Sequence, residues 1–178
     1  MARWLRHCWP YVLVLLCAAA LLTQGLTRPF VGQDESSSAN ISNWARNFAR
    51  YGALSLKGAL IRDSGPLEYA DQPHTYLHYS PYISFLVSLS FRAFGVHEWS
   101  ARLVAIVHAL GSLIIFLVSV ERFWGRRVAV VAGLFLAFMP TFAWYGRVLA
   151  DILPGLFYLM AALLCYGLWL EQRGRWAF

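Results

Sequence analysis

Pro81-Tyr82-Ile83-Ser84-Phe85-Leu86-Val87-Ser88-Leu89-Ser90-Phe91-Arg92-Ala93-Phe94-Gly95 is the stretch on which the topology of this chain turns. It is apolar enough to enter a bilayer, but it is short and carries Arg92 in its interior. An apolar run of about 10–14 residues is more often interfacial or re-entrant than spanning. Four other runs, at residues 9–26, 101–120, 128–145 and 152–170, have the roughly 17–25 residues that a membrane helix needs. Suppose that 81–95 does not span and that the N-terminus, with Arg3 and Arg6, is cytoplasmic. The loop Glu121-Arg122-Phe123-Trp124-Gly125-Arg126-Arg127 and the tail Glu171-Gln172-Arg173-Gly174-Arg175 are then cytoplasmic too, each with the Arg excess that the positive-inside rule expects. If 81–95 spans, both basic pieces lie outside. The expectation is therefore an all-α integral membrane fold of about four transmembrane helices plus interfacial juxtamembrane helices. It forms a single membrane module over 1–178, with 27–100 as an external loop between the first two spans.

Composition agrees. The chain has 178 residues, is 59% hydrophobic and 13% charged, and has a mean hydropathy of +0.51. A soluble domain carries about 25% charged residues, so this chain cannot cover itself with charge. Its 15 basic residues against 9 acidic ones flank apolar runs and form no single stripe, which speaks against nucleic acid as a partner. Cys8, Cys17 and Cys165 lie in or beside apolar runs without C-x-x-C spacing, and so frame neither a disulfide set nor a zinc site. The first 26 residues also resemble a secretory signal, with Ala18-Ala19-Ala20 as its small residues. The apolar run nevertheless continues to Leu26 and further spans follow, which favours an uncleaved first span.

Just past that first span comes Arg28-Pro29-Phe30-Val31-Gly32-Gln33-Asp34-Glu35. Carboxylates at a membrane boundary are costly to desolvate and usually face water, an ion or a polar substrate. In the four-span reading Asp34 and Glu35 share the non-cytoplasmic face with Asp151; in a five-span reading they do not. Residues 43–56 place Trp44, Phe48 and Tyr51 at helical spacing, with Arg46 and Arg50 on another face, the pattern of a helix in the interface plane. Ser64-Gly65-Pro66 and Gln72-Pro73 break structure, and Gly95-Val96-His97-Glu98 turns the chain into the next span. Ser36-Ser37-Ser38 is the one low-complexity tract.

The order of these pieces is specific. One span is followed by Asp34-Glu35, then a juxtamembrane helix ending in Tyr51-Gly52, then His78-Tyr79-Ser80-Pro81. Phe91-Arg92-Ala93-Phe94-Gly95-Val96-His97-Glu98-Trp99-Ser100-Ala101-Arg102 comes next, and Gly146-Arg147-Val148-Leu149-Ala150-Asp151 opens a later span. This resembles the N-terminal part of the GT-C membrane glycosyltransferases that use polyprenyl-phosphate sugars. Within them it looks most like the branch of the protein O-mannosyltransferases and the lipid A aminoarabinose transferases. The post-span Asp-Glu and the F-x-x-F-G-x-x-E-x-x-A-R stretch carry most of the likeness. Where family members often show Glu-Lys-Pro-Pro or His-Pro-Pro, this chain has His78-Tyr79-Ser80-Pro81. Such enzymes run to several hundred residues with seven or more spans, so the resemblance implies a portion of a longer chain.

The resemblance implies transfer of a sugar from a polyprenyl-phosphate carrier to a protein, lipid or glycan acceptor on the non-cytoplasmic face, in a multi-pass protein of a bacterial inner or plasma membrane. Displacement at the anomeric carbon expels a phosphate anion and requires a group to take the acceptor's proton. The resemblance assigns that base role to Asp34. Asp151 is the candidate for a second catalytic carboxylate, which orients a substrate or holds a divalent cation, the one cofactor the chemistry leaves open. Arg147, four residues earlier and so one helical turn away, is a candidate to stabilise the leaving phosphate. Glu35 and His78 are further carrier- or substrate-binding candidates, with His74 and Lys57 behind them. Plainer roles fit the same residues. Asp151 before Ile152-Leu153-Pro154 reads as a helix N-cap, Arg147 as a snorkelling interfacial residue, and His108 as a bundle histidine. A membrane scaffold or assembly subunit that keeps the architecture without the chemistry is the alternative function, and a transporter module is weakened by the lack of an inverted repeat.

Overall fold

The computed structural model describes residues 2–31, 35–67 and 74–176, with side chains over 8–31, 35–67 and 74–172. Its elements are α1 (Ala2–Leu22), α2 (Ser36–Tyr51), β1 (Leu60–Ile61), β2 (Thr75–Tyr76), α3 (Tyr82–Phe94), α4 (Glu98–Trp124), α5 (Arg126–Phe138), α6 (Pro140–Tyr145) and α7 (Ile152–Trp176). Helix predominates among the described residues, in keeping with an all-α membrane protein. Among the described residues two helices, α4 and α7, are long and apolar enough to cross a membrane. The first apolar run ends earlier than residues 9–26 suggest. Its helix stops at Leu22, and Thr23 donates its hydroxyl back to the Ala19 carbonyl at 2.8 Å. The run at 128–145 is divided. Met139 is extended (φ −64, ψ 121) because Pro140 disfavours the helical region for the residue before it, and Pro140 then opens α6 at its first position.

The chain forms two compact units. One holds residues 1–24, 106–146 and 152–178. Within it the helices approach closely where a side chain is missing, as is usual for helices in lipid. Gly133 of α5 lies against Leu117 and Val14, and Gly111 of α4 against the ring of Phe157. The edge of that ring also meets His108 at 5.6 Å between centroids. Arg122 of α4 pairs with Glu171 of α7 at 2.6 Å.

The other unit holds residues 25–105 and 147–151. Its core joins Ile41, Trp44, Ala45 and Phe48 of α2 to Ile83, Val87 and Phe91 of α3, with Leu60, Leu149 and two alanines from the start of α4. Each such side chain contributes roughly 1.5–3 kcal/mol by leaving water. The i, i+3, i+4, i+7 spacing of 41, 44, 45 and 48 is what gives α2 a single apolar face. The helix begins at Ser36, earlier than the 43–56 expectation, and ends where Gly52 takes φ +88. The opposite face of α2 is polar for a local reason: its side chains cover the exposed edge of the hairpin. Asn47 Nδ2 donates to the carbonyls of Ile61 and Asp63, both at 3.0 Å, and Arg46 donates to that of Ser64 at 2.7 Å. Leu60 pairs with Tyr76 and Ile61 with Thr75, antiparallel.

Candidate functional site

The first turn of α2 is where the candidate residues gather. Glu35 occupies the N-cap position of that helix. Arg102, in the second turn of α4, is 3% exposed, and its Nη2 donates to Glu35 Oε1 at 3.0 Å. Its Nη1 donates to the carbonyl of Leu26 at 3.2 Å and, more closely, to that of Arg28. The guanidinium also lies 4.4 Å over the ring of Phe30. One planar side chain thus fastens the segment from Leu26 to Glu35 to the start of α4. Lysine, with one point of charge and no fork, cannot reproduce that set. The second oxygen of Glu35, Oε2, is buried and accepts no hydrogen bond.

The start of α4 is itself fixed by the Phe91–Arg102 motif. Gly95 (φ +86) ends α3, and Ser100 Oγ accepts the His97 N–H at 3.2 Å while lying 2.7 Å from the Gly95 carbonyl. Ser90 of α3 donates to the Ser100 carbonyl at 2.6 Å. The motif is therefore the turn that aims Arg102 at Glu35.

A second segment docks at the same helix end. The N–H of Leu149 donates to the hydroxyl of Ser38 at 3.0 Å, and both residues are fully buried. This brings the turn 147–151, with Arg147 and Asp151, to the first turn of α2. The expectation that Arg147 and Asp151 lie one helical turn apart is corrected. Residues 147–151 are non-helical, and α7 begins only at Ile152. Val148 and Leu149 are drawn into the core instead, and the Leu149 N–H goes to Ser38 rather than to a helical carbonyl. Arg147 is half-buried and engaged by neighbouring groups. Asp151 is exposed by area, yet the protein to one side removes enough water to raise its carboxyl above the usual aspartate range.

Asp34 lies outside the described residues. His78 is held elsewhere, tilted against the Tyr76 ring at 5.5 Å, within an aromatic cluster that includes Trp44 and Tyr79. His74 is engaged too: its Nδ1 lies 3.1 Å from Asp63 Oδ1, and its backbone N–H donates to Asp63 Oδ2 at 2.8 Å. That N–H and the ring hold the Asp63 carboxyl below its ordinary range. Lys57 is exposed at a turn beyond the C-terminus of α2. Among the described residues no three His, Cys, Asp or Glu side chains gather as a metal site.

A groove of about 400 Å³ opens beside the Arg102 clamp, sharing Phe30 with it and lined also by Ser42, Asn43, Arg46, His97 and Glu98. The hydroxyl of Ser42 is buried there without a partner. Reading the sequence alone missed Arg102, Ser38 and this groove. Arg102 did close the most specific motif, and a cation at the start of an apolar run was the available signal. Ser38 sat in what read as a low-complexity tract and gave none.

Residues 72–178 match the family described as dolichyl-phosphate-mannose-protein mannosyltransferase. The matched region includes Arg102, Arg147 and Asp151, whereas Asp34 and Glu35 precede it. No curated protein and no solved structure matches the chain.

Proposed function

The chain belongs to the dolichyl-phosphate-mannose-protein mannosyltransferase family, a glycosyltransferase family of the GT-C kind, and on that premise we propose that it moves a sugar from a polyprenyl-phosphate carrier to an acceptor on the non-cytoplasmic face of a membrane. The observation that carries this reading is the convergence on the first turn of α2. Glu35 is held there by Arg102, and the turn bearing Arg147 and Asp151 is held there through Leu149 and Ser38.

In this reading the acceptor oxygen attacks the anomeric carbon, the bond from that carbon to the phosphate oxygen breaks, and polyprenyl phosphate departs with the electron pair. The acceptor proton passes to a carboxylate. Glu35 spends one oxygen on Arg102, so the base role falls to its sequence neighbour Asp34. Asp151 orients donor or acceptor, and Arg147 supplies positive charge for the leaving phosphate. The groove beside Phe30 receives the acceptor from the aqueous side. His78, exposed beside the Tyr76 ring, is a further candidate for contact with the carrier.

The test is transfer from polyprenyl-phosphate-linked mannose by the full-length protein in membrane vesicles. Asp34→Asn and Asp151→Asn are each expected to lower transfer by at least 100-fold and 10-fold respectively, on the usual weight of a general base and of an orienting group, about 10²–10⁴ and less. Undiminished transfer by Asp34→Asn would sink the assignment. A wild type that binds the carrier but never transfers favours the scaffold reading, which the architecture alone also satisfies.

A further inference from the structure

Helix α3 is apolar on both sides. Its buried side carries Ile83, Val87 and Phe91 with three serines among them, while Tyr82, Phe85, Leu89 and Phe94 stand exposed at 36–52%. A helix apolar all round is covered on its outer side by something other than water. Thirteen residues rise only about 20 Å, against a hydrocarbon core of about 30 Å, so α3 does not cross. It cannot leave the membrane boundary either. Three residues, 95–97, join it to α4, one of the two helices apolar enough to span, and they reach at most about 10 Å.

Beside the first turn of α3 lies a groove of about 460 Å³, walled by Phe48, Ala53, Leu54, Tyr82 and Phe85, with Lys57 as its one charged lining residue. Leu54 is 95% exposed at its lip. Lys57 sits at φ +51, the one non-glycine residue with positive φ among the described residues, a conformation that glycine would adopt without strain. Two more cations stand at the same end of α2: Arg50 in its last turn, and Arg92, which donates to the Phe48 carbonyl at 3.2 Å. Segments 36–62 and 74–97 together contain five Lys and Arg, with Glu35, Asp63 and Glu98 at their borders.

We propose that this surface is an anionic-phospholipid site, in which acyl chain lies along the α3 face and groove while Lys57, with Arg50 and Arg92 beside it, meets the headgroup phosphate. The occupant follows from the chemistry of the place: an apolar face and groove at the membrane boundary, with Lys57 as the one charged group of its lining and Arg50 and Arg92 at the same end of α2. The site is separate from the α2 N-terminus, so it stands or falls independently of the transfer reaction.

The experiment is lipid retention by the full-length protein, purified in detergent and equilibrated with phosphatidylglycerol or phosphatidylcholine, with bound lipid counted by native mass spectrometry. The wild type is expected to retain phosphatidylglycerol in preference. Lys57→Gln and Lys57→Gly are expected to cut that retention about fivefold, the weight of one cation near an anionic surface, and Lys57→Arg to restore it. Lys57→Gly is the informative variant because it relaxes the backbone while deleting the charge, so a lysine needed only for the turn predicts undiminished retention. Equal retention of the two lipids by the wild type overturns the proposal, as does unchanged retention by Lys57→Gly. Displacement of phosphatidylglycerol by an equimolar amount of polyprenyl phosphate also overturns it, since the groove would then belong to the donor.

Discussion

Arg102 and Glu35 are 67 residues apart in sequence, and each is nearly buried, the arginine at 3% and the glutamate at 18% side-chain exposure. Removing one member of such a pair leaves the other desolvated and unpaired, which costs about 3–5 kcal/mol where burial is complete. Arg102→Leu is therefore expected to lose about 3 kcal/mol in denaturant unfolding of the purified protein. Adding Glu35→Gln should recover part of that loss. A second prediction at this scale concerns Asp151. Burial raises its folded-state carboxyl above the unfolded value, so the folded protein favours the protonated form. Ionisation then subtracts stability as pH rises through the raised value, and nothing is lost below the ordinary aspartate range. Asp151→Asn should accordingly raise the melting temperature slightly at pH 7 and leave it unchanged near pH 3, even as it lowers transfer. The two readouts moving in opposite directions are the mark of a residue kept for chemistry.

Among the elements, α2 and α3 form the packing on which the candidate site rests. Val87 is fully buried between them, and Val87→Ala is expected to cost about 1–2 kcal/mol for the lost methyls and the space they leave. Ser84 presents the opposite case, because its hydroxyl is buried without a partner. Ser84→Ala should stabilise the protein by about 1 kcal/mol, the lower end of the cost of an unsatisfied buried group, read as a rise in the unfolding midpoint. In the hairpin, the backbone N–H and ring of His74 lower the Asp63 carboxyl. That contribution is complete above the ordinary aspartate range and disappears as pH falls through the depressed value. Amide exchange at Leu60, Ile61, Thr75 and Tyr76 should therefore quicken relative to α2 on acidification, and Asp63→Asn should show the faster exchange at neutral pH already. An Asn variant that keeps the pH-dependent difference would place the titrating group elsewhere.

Over the whole molecule, the proposed reaction requires that positions 34 and 151 open to one compartment. Single cysteines at those positions, in a variant lacking Cys8, Cys17 and Cys165, should both react with a membrane-impermeant maleimide from the non-cytoplasmic side. Labelling from opposite sides would mean that 81–95 spans, and one shared site would be impossible. At thirteen residues α3 is short for a span, which favours the first outcome.

Hydrophobic run length and charge at the run ends were enough to read a helical chain of membrane character, and the motifs after residue 72 were enough to read the family, because burial in lipid and capture of Lys and Arg at one face are one-dimensional effects. Break points were partly legible: Gly52 and Gly95 end helices as their backbones dictate. The division of 128–145 at Met139 went unread because apolarity alone does not register the constraint that a proline puts on its predecessor. Only the tertiary structure decided which polar residues meet. Arg102 reaches Glu35, Ser38 takes the Leu149 N–H across 111 residues, Arg46 is spent on the Ser64 carbonyl, and His78 lies against the Tyr76 ring. A buried hydrogen bond is directional and depends on where two distant backbones come to rest, and no spacing along one chain carries that information.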